Sequence, residues 1–276
     1  MILVTGASGN VGSEIVRALL GSGEKVRALT RGTASAALPA GVEIAIGDLD
    51  RPETVGAAST GARAVFMLPG YQDMAGVVRA IQLAGVERIV LLTSGAAANG
   101  DLTNAVERGQ ILSENAVRES GLEWTILRPS GFTSNALRWL PQLRTGDVVR
   151  EPFPDVAVAS IDPFDIAAVA ALALTTTGHD GQTYRLTGPE SLLPAENVAI
   201  LGKVIGRDLR FDGYTDAEAR DALSAVMPSE YVDAMFQFFV EGTYDDSKVL
   251  PTVNELTGQA PRTFEQWAVA HADAFR

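Results

Sequence analysis

Hydrophobic residues in the first half of the chain follow two alternating spacings. Continuous apolar runs, which are typical of parallel strands buried on both faces, are separated by segments with the spacing of an amphipathic helix. The apolar runs predict strands at 1–5, 25–30, 42–46, 63–68, 88–93 and 123–128, and the segments between them predict helices near 10–21, 52–59, 72–84 and 104–119. These repeated β-α units predict an α/β fold with a Rossmann-type, doubly wound parallel sheet.

The second half has a different pattern, which predicts a second domain. Residues 129–162 are rich in proline, glycine and short polar stretches. A helix at 163–176 and a strand at 183–187 are expected to return to the sheet, and helical patterns follow near 194–206, 215–226, 228–241 and 262–275. We predict that 1–128 plus 163–187 form the sheet domain. The remainder, 129–162 plus 188–276, is predicted to form a smaller, mainly helical lobe that binds the substrate.

Composition narrows the classes of function. The 276-residue chain has a net charge of -12, no cysteine and two histidines, His179 and His271. The negative charge disfavours nucleic acid and anionic membranes as partners. The absence of cysteine fits a cytoplasmic protein, and two histidines far apart in sequence give no reason to expect a metal site. The longest apolar run, 166–174, is too short to span a bilayer. We therefore expect a cytoplasmic protein that acts on a small molecule, as a homodimer or a monomer.

The first strand runs directly into a glycine-rich turn. Gly6, Gly9 and Gly12 lie between this strand and the first helix, in a G-x-x-G-x-x-G spacing. Gly6 permits the tight turn, Gly9 lets the backbone approach a pyrophosphate, and Gly12 lets the helix lie close to the strand. The free N–H groups of the helix N-terminus then face the phosphates. The pattern predicts a dinucleotide site, in which Ser8 and Asn10 can also reach phosphate oxygens.

Three motifs carry a resemblance to a known family. They are the glycine turn, Gly47-Asp48-Leu49, and the stretch from Ser120 to Pro129 with Gly131-Phe132 and Asn135 after it. Together they resemble the NmrA-like branch of the atypical short-chain dehydrogenase/reductases. The branch includes NAD(P)H:quinone reductases, phenylpropanoid reductases and non-catalytic redox sensors, so the resemblance implies a nicotinamide cofactor.

The end of the second strand indicates which cofactor is bound. An NAD site places an acidic residue there to bind the ribose 2′-hydroxyl, whereas this chain has Thr30 and Arg31. The forked guanidinium of Arg31 can bind a 2′-phosphate, and the resemblance agrees with NADPH (NADP). The alternative is an arginine that only solvates the strand end.

The resemblance implies further cofactor contacts. Asp48 and Leu49 would flank the adenine, unless Asp48 is an ordinary turn residue, and 68–70 would line the ribose on the nicotinamide side. The full predicted cofactor set is Gly6, Ser8, Gly9, Asn10, Val11, Gly12, Thr30, Arg31, Asp48, Leu49, Leu68, Pro69, Gly70, Thr93 and Pro129.

The expected catalytic pair is missing from its usual helix. Short-chain dehydrogenases use a Tyr-x-x-x-Lys pair, in which the tyrosine moves a proton and the lysine lowers its pKa. Aligned on Glu114, the two positions hold Val106 and Gln110, and we interpret the chain as lacking the pair. Gln110 could bind the nicotinamide ribose or a substrate carbonyl, or be a solvated helix residue. Ser94 is the second candidate catalytic residue, placed as a hydrogen-bonding wall of the site.

The combined prediction is an NADPH-dependent oxidoreductase that transfers hydride to a quinone or a related conjugated, aromatic or polyketide-like carbonyl. The alternative is a non-catalytic NADP(H)-binding redox sensor that acts through a protein partner. A sugar-nucleotide epimerase is disfavoured by the missing pair. The acidic run 244–246 is expected to be a solvated face. The predicted substrate-binding residues are Tyr71, Phe132, Asn135 and Trp139.

Overall fold

The computed structural model describes residues 1–32 and 38–276. Strands are numbered β1 (Ile2–Val4), β2 (Val26–Thr30), β3 (Glu43–Ile46), β4 (Ala64–Met67), β5 (Arg88–Leu92), β6 (Glu123–Pro129), β7 (Val148–Glu151), β8 (Gln182–Leu186) and β9 (Arg210–Gly213). Helices are α1 (Asn10–Gly21), α2 (Pro52–Ser59), α3 (Met74–Leu83), α4 (Ala105–Arg118), α5 (Leu140–Leu143), α6 (Pro163–Thr175), α7 (Pro194–Ile205), α8 (Asp216–Ser224), α9 (Ser229–Phe239), α10 (Thr252–Thr257) and α11 (Phe264–Ala270).

The main sheet has the strand order β3-β2-β1-β4-β5-β6-β8, and neighbouring strands from β3 to β6 pair in parallel. In such a sheet the order reverses between β1 and β4, and ligands bind beyond the carboxyl ends of the strands at that point. The central strands are buried on both faces, as their continuous apolar runs predict. The predicted Rossmann-type α/β fold is confirmed.

The chain folds into two compact units. The first unit contains 1–100, 107–129 and 163–185, and the second contains 101–106, 130–162 and 186–276. The short segment 101–106 lies within the predicted sheet domain in sequence, but it belongs to the second unit. Asn104 is the reason, because its side-chain amide donates to the Ala234 carbonyl and to Gln237 Oε1.

The second unit contains more sheet than its sequence predicts. Strands β7 and β9 pair in parallel from Val148 with Arg210 to Glu151 with Gly213. The stretch 129–162, in which the sequence predicted no strand, contains β7, α5 and a 3₁₀ segment at Thr133–Trp139. These elements are short and lack a clear hydrophobic period, so their sequence gives only a weak signal. A core around Trp139, Leu201, Phe264 and Trp267 holds them together.

No helix within the described residues is long and apolar enough to cross a membrane.

Candidate functional site

The glycine turn after β1 packs as its spacing predicts. Gly6 has a φ of +61°, a left-handed conformation that favours glycine, and its carbonyl accepts the Gly9 N–H at 2.9 Å. A Cβ on Gly12 would lie 2.1 Å from the Gly6 carbonyl oxygen, whereas a Cβ on Gly9 would lie 3.3 Å from the same atom. Gly12 therefore lets α1 approach the turn, and Gly9 leaves the backbone accessible to a ligand.

The N-terminus of α1 is open to an anion. Its N-cap is Gly9, which makes no side-chain cap hydrogen bond, and the first turn contains no acidic residue. The N–H groups of a first helical turn and the helix dipole together favour a phosphate at such a position. Asn10 and Val11, both predicted to bind the cofactor, are the first two residues of this helix.

A cavity of about 340 Å³ lies within the first unit, beside the glycine turn. It brings together residues that follow β1, β2, β3 and β4, at the edge of the sheet where a Rossmann fold binds its ligand. Sequence reasoning missed Leu29, Gly47 and Asp50 as lining residues. The lining is Gly6, Ser8, Leu29, Thr30, Arg31, Gly47, Asp48, Leu49, Asp50, Leu68 and Tyr71.

Arg31 is exposed at the mouth of this cavity, and no carboxylate in residues 1–32 or 38–276 lies within ion-pair distance of it. Thr30 is buried, and its hydroxyl accepts the Gly32 N–H at 3.1 Å. Asp48 Oδ1 accepts the Asp50 N–H at 3.1 Å, which leaves its second carboxylate oxygen for another donor. The cavity thus combines one cation with a hydrogen-bond acceptor, which fits a nucleotide with a 2′-phosphate.

Tyr71 lines this first-unit cavity, beside several of the predicted cofactor residues. The other three predicted substrate residues belong to the second unit. Burial raises the pKa of the Tyr71 hydroxyl to about 12, with Asp50 and Asp48 adding to the shift and Arg31 opposing it. The phenol therefore stays protonated at neutral pH and can donate a hydrogen bond into the cavity.

A buried ion-pair cluster lies behind β5 and β6. The Glu114 carboxylate, whose side chain is 1% exposed, binds Arg128 at 2.6 Å and Arg118 at 2.8 Å. The Thr93 hydroxyl donates to Glu114 Oε1 at 2.9 Å. Burial alone would raise the pKa of Glu114, but the bonds and charges of Arg128, Thr93 and Arg118 hold it below its ordinary value. The Thr93 hydroxyl, predicted to contact the cofactor, thus hydrogen-bonds to a buried carboxylate of the protein.

The two candidate catalytic residues differ in their surroundings. The Ser94 hydroxyl accepts the Ala96 N–H at 3.3 Å and caps the 3₁₀ segment that follows β5. Gln110 lies on α4, and its Oε1 is buried without a hydrogen-bond partner among the described residues. A buried amide oxygen of this kind costs free energy unless a ligand donates to it. This environment favours the ligand-binding alternative for Gln110 over the solvated one.

The remaining predicted cofactor residues lie at strand ends in the first unit. Pro69 and Gly70 follow β4, and the Gly70 N–H donates to Ser113 Oγ at 3.0 Å. Gly70 has a φ of +88°, a backbone conformation that glycine adopts easily because it has no side chain. Pro129 is the last residue of β6. The roles of these residues stay predictions.

A second cavity, of about 250 Å³, lies wholly within the second unit. Phe132, Asn135 and Trp139, predicted to bind substrate, are on its wall. Phe153, Val158, Met235, Phe239 and Phe264 are among the apolar residues that complete it, and the polar and charged residues include Arg138, Glu151, Ser160, Asn197 and Asp246. The cavity therefore has a mainly apolar wall with a few polar and charged groups, a composition typical of small-molecule sites.

Phe153 is held in a strained conformation on this wall. It is the only non-glycine residue in the described ranges with a positive φ, at +57°, a conformation that costs about 1–2 kcal/mol. Its ring contacts Phe236 at 5.3 Å and Phe239 at 5.1 Å between centroids. Aromatic packing within the second unit therefore fixes a backbone turn that the local sequence disfavours.

The acidic run at 244–246 is only in part the solvated face predicted from its sequence, because Asp245 is exposed but Asp246 is buried. Asp246 is 7% exposed. Its carboxylate accepts from the Ser130 hydroxyl at 2.7 Å, the Gly131 N–H at 2.9 Å and the Tyr244 hydroxyl at 2.8 Å. The prediction was wrong for Asp246, because its partners at 130 and 131 are distant in sequence.

The interpretation that the chain lacks a Tyr-x-x-x-Lys pattern is wrong, because the same segment contains one. Tyr244 and Lys248 have this spacing. The segment has no regular structure, however, so the two side chains do not share a helical face. Tyr244 donates to Asp246, and Lys248 is exposed beside Asp245. This pattern therefore lacks the helical geometry of the reductase pair.

The fold, the glycine turn and the first cavity define a Rossmann-type dinucleotide-binding protein. A model of NAD(P)H-binding proteins matches residues 6–177, and the chain belongs to this NAD(P)H-binding family. The prediction of a nicotinamide-binding reductase is confirmed.

Similar proteins extend over the full length of the chain. It is 40% identical over 280 residues to the (4-alkanoyl-5-oxo-2,5-dihydrofuran-3-yl)methyl phosphate reductase of Streptomyces griseus, covering 100% of this chain and 99% of the relative. It is 39% identical over 286 residues to an NAD(P)H azoreductase of Xenophilus azovorans, with the same coverage. The NADPH complex of an Escherichia coli NADPH-dependent quinone oxidoreductase shares the fold, with a TM-score of 0.79, 24% identity and coverage of 98% and 99%. The chain is an NAD(P)H-dependent oxidoreductase.

Proposed function

We propose that this protein transfers hydride from NADPH to a quinone or a related conjugated carbonyl compound, without a catalytic Tyr-x-x-x-Lys pair on a helix. The observation that carries the proposal is the aromatic and aliphatic wall of the second-unit cavity. Such a wall favours flat, conjugated ligands. A conjugated acceptor also makes a tyrosine proton donor less necessary, because its reduced form spreads the negative charge that hydride transfer creates.

Each cavity has its own part in this proposal. In the first, the open N-terminus of α1 binds the pyrophosphate, Arg31 binds the 2′-phosphate, and Asp48 accepts from the adenine amine. The Tyr71 hydroxyl donates a hydrogen bond to the nucleotide, in place of the substrate-binding role predicted for it. Bound NADPH supplies the hydride. In the second, Phe132, Asn135 and Trp139 hold and orient the acceptor, and binding excludes water.

The names of the full-length relatives agree with this substrate class. A 5-oxo-2,5-dihydrofuran with a 4-alkanoyl group is, by its nomenclature, a conjugated carbonyl compound. An azoreductase acts, by its name, on an azo group, which contains an N=N π bond. Both names therefore describe acceptors with a reducible π bond, and the first name supports a conjugated carbonyl acceptor for this chain.

Arg31→Ala is expected to change cofactor preference. Loss of the charged hydrogen bonds to a 2′-phosphate costs about 2 kcal/mol, so we expect Kd for NADPH to rise about 30-fold and Kd for NADH to change less than threefold. Isothermal titration with both nucleotides measures this. Arg51→Ala is the matched control, because Arg51 is exposed beyond β3 but does not line the cavity. Equal increases in Kd for NADPH and NADH would contradict the assignment of Arg31 to the 2′-phosphate.

Anaerobic NADPH oxidation tests the reaction itself. We expect turnover with naphthoquinones and with conjugated furanones, and no turnover with a saturated ketone such as cyclohexanone. If protein that binds NADPH oxidises it with none of these acceptors, the proposed substrate class is wrong and the redox-sensor alternative gains support. A sensor is further expected to bind NADPH and NADP⁺ with clearly different affinities.

A further inference from the structure

Of the two carboxyl groups on the wall of the second-unit cavity, Glu151 accepts fewer hydrogen bonds than Asp246. It is the last residue of β7, and its side chain is 17% exposed. The other carboxylate of the cavity, Asp246, already accepts from Ser130, Gly131 and Tyr244. Sequence reasoning did not single out Glu151, since nothing in the pattern around it predicts a strand that ends at a cavity.

The charges that face Glu151 are few. The nearest cation is Arg138, whose Nη2 lies 3.5 Å from Glu151 Oε1, but the Arg138 side chain is 67% exposed and therefore well solvated. Arg150, the preceding residue, pairs with Asp212 and Glu218. Burial raises the pKa of Glu151, and Arg138 and the Trp139 indole only partly offset this effect. Its surroundings thus stabilise the neutral carboxylic acid more than those of an exposed glutamate do.

The backbone next to Glu151 is held firmly. The Glu151 carbonyl accepts the Tyr214 N–H at 2.9 Å, which continues the β7–β9 pairing. Phe153, two residues later, is kept in its left-handed conformation by Phe236 and Phe239. Strained backbone that the surrounding packing maintains is common at functional sites. The carboxyl is therefore presented to the cavity from a fixed position.

We propose that Glu151 is the proton donor of this enzyme: its carboxyl O–H donates a hydrogen bond to a carbonyl oxygen of the substrate and gives that oxygen its proton on reduction. This rests on the proposed function. Hydride from NADPH forms a bond to an electrophilic carbon of the conjugated acceptor, and the π electrons move to the carbonyl oxygen. That oxygen takes the Glu151 proton. NADPH becomes NADP⁺, and the carboxylate regains a proton from solvent.

Binding of an aromatic ketone without NADPH tests the hydrogen bond separately from the reaction. With 2-acetonaphthone as the probe and NADP⁺ present, we expect Kd to rise about tenfold as pH increases through the titration of Glu151. Glu151→Gln keeps an N–H donor but does not titrate, so its Kd is expected to be independent of pH. Asp155→Asn removes an exposed carboxylate of the same loop and is expected to match the wild type.

Carbon NMR of protein labelled at the glutamate carboxyl carbons gives a readout that needs no ligand. The signal lost in Glu151→Gln identifies Glu151, and we expect its titration midpoint to lie above the ordinary value of 4.5. Where turnover is found, kcat/KM of the wild type is expected to fall about tenfold per pH unit above that midpoint, whereas Glu151→Gln has a lower, flat profile.

The outcomes separate this proposal from the proposed function. A wild-type Kd for the ketone that does not change with pH overturns the Glu151 assignment, as does a Glu151→Gln variant that keeps the wild-type pH dependence. A midpoint at the ordinary glutamate value overturns it too. A ketone Kd that changes with the titration of Glu151 supports the hydrogen bond. If no quinone or furanone is turned over in the same protein, the proposed substrate class is wrong while the hydrogen bond still stands.

Discussion

Gly12→Ala is expected to raise Kd for NADPH at least about 100-fold and to lower the stability of the protein. The added Cβ would lie 2.1 Å from the Gly6 carbonyl oxygen and 2.6 Å from the Gly6 carbonyl carbon. Both atoms are backbone, so either the turn or the start of α1 must move. Overpacking of this kind costs about 1–3 kcal/mol, and the moved N–H groups no longer meet the pyrophosphate. Isothermal titration and thermal unfolding measure the two effects.

Gly9→Ala is the matched control, since it separates crowding within the protein from crowding of the ligand. A Cβ at this position would lie 3.3 Å from the Gly6 carbonyl oxygen, which a small shift relieves. We expect a melting temperature close to that of the wild type, with weaker NADPH binding because the methyl group meets the pyrophosphate. If Gly12→Ala binds NADPH as tightly as the wild type, the proposed role of the turn is wrong.

Glu114→Ala is expected to destabilise the protein by about 3 kcal/mol, which lowers the melting temperature by about 6–12 °C. The substitution leaves Arg128, whose side chain is 18% exposed, without its buried carboxylate. It also removes the acceptor of the Thr93 hydroxyl. Arg118 is 32% exposed and can turn to water, so its share of the loss is smaller. Thermal unfolding measures the effect, and exposed Glu119→Gln is the control.

The pH dependence of this effect has a definite sign. The pKa of Glu114 in the folded protein is below its ordinary value of 4.5, so its contribution to stability is fully present above that pH. It is lost as the pH falls towards the folded-state pKa. The stability difference between the wild type and Glu114→Gln should therefore shrink below about pH 4.5. A difference that stays constant into acid would show that the carboxylate charge is not what stabilises the cluster.

Much of the sheet could be predicted because its signals are local. The continuous apolar runs of β1, β4 and β5 mark buried parallel strands, and the spacing of Gly6, Gly9 and Gly12 requires only a strand before it and a helix after it. Arg31 could likewise be found by its position after β2. The strands β7 (Val148–Glu151) and β9 (Arg210–Gly213) were missed, because charged residues interrupt them and neither has the continuous apolar run that marks β1, β4 and β5.

The amino-acid sequence by itself determined the class of this protein: a parallel α/β sheet, a dinucleotide turn and an arginine where NAD sites have an acid. Each depends on residues that are close together in the chain. Only the tertiary structure decided how distant residues meet. It placed Tyr71 in the first-unit cavity, buried Asp246 against Ser130 and Gly131, and placed a largely buried Glu151 on the wall of the second-unit cavity. Burial and charge at these positions arise from packing between segments far apart in sequence, and no local pattern encodes them.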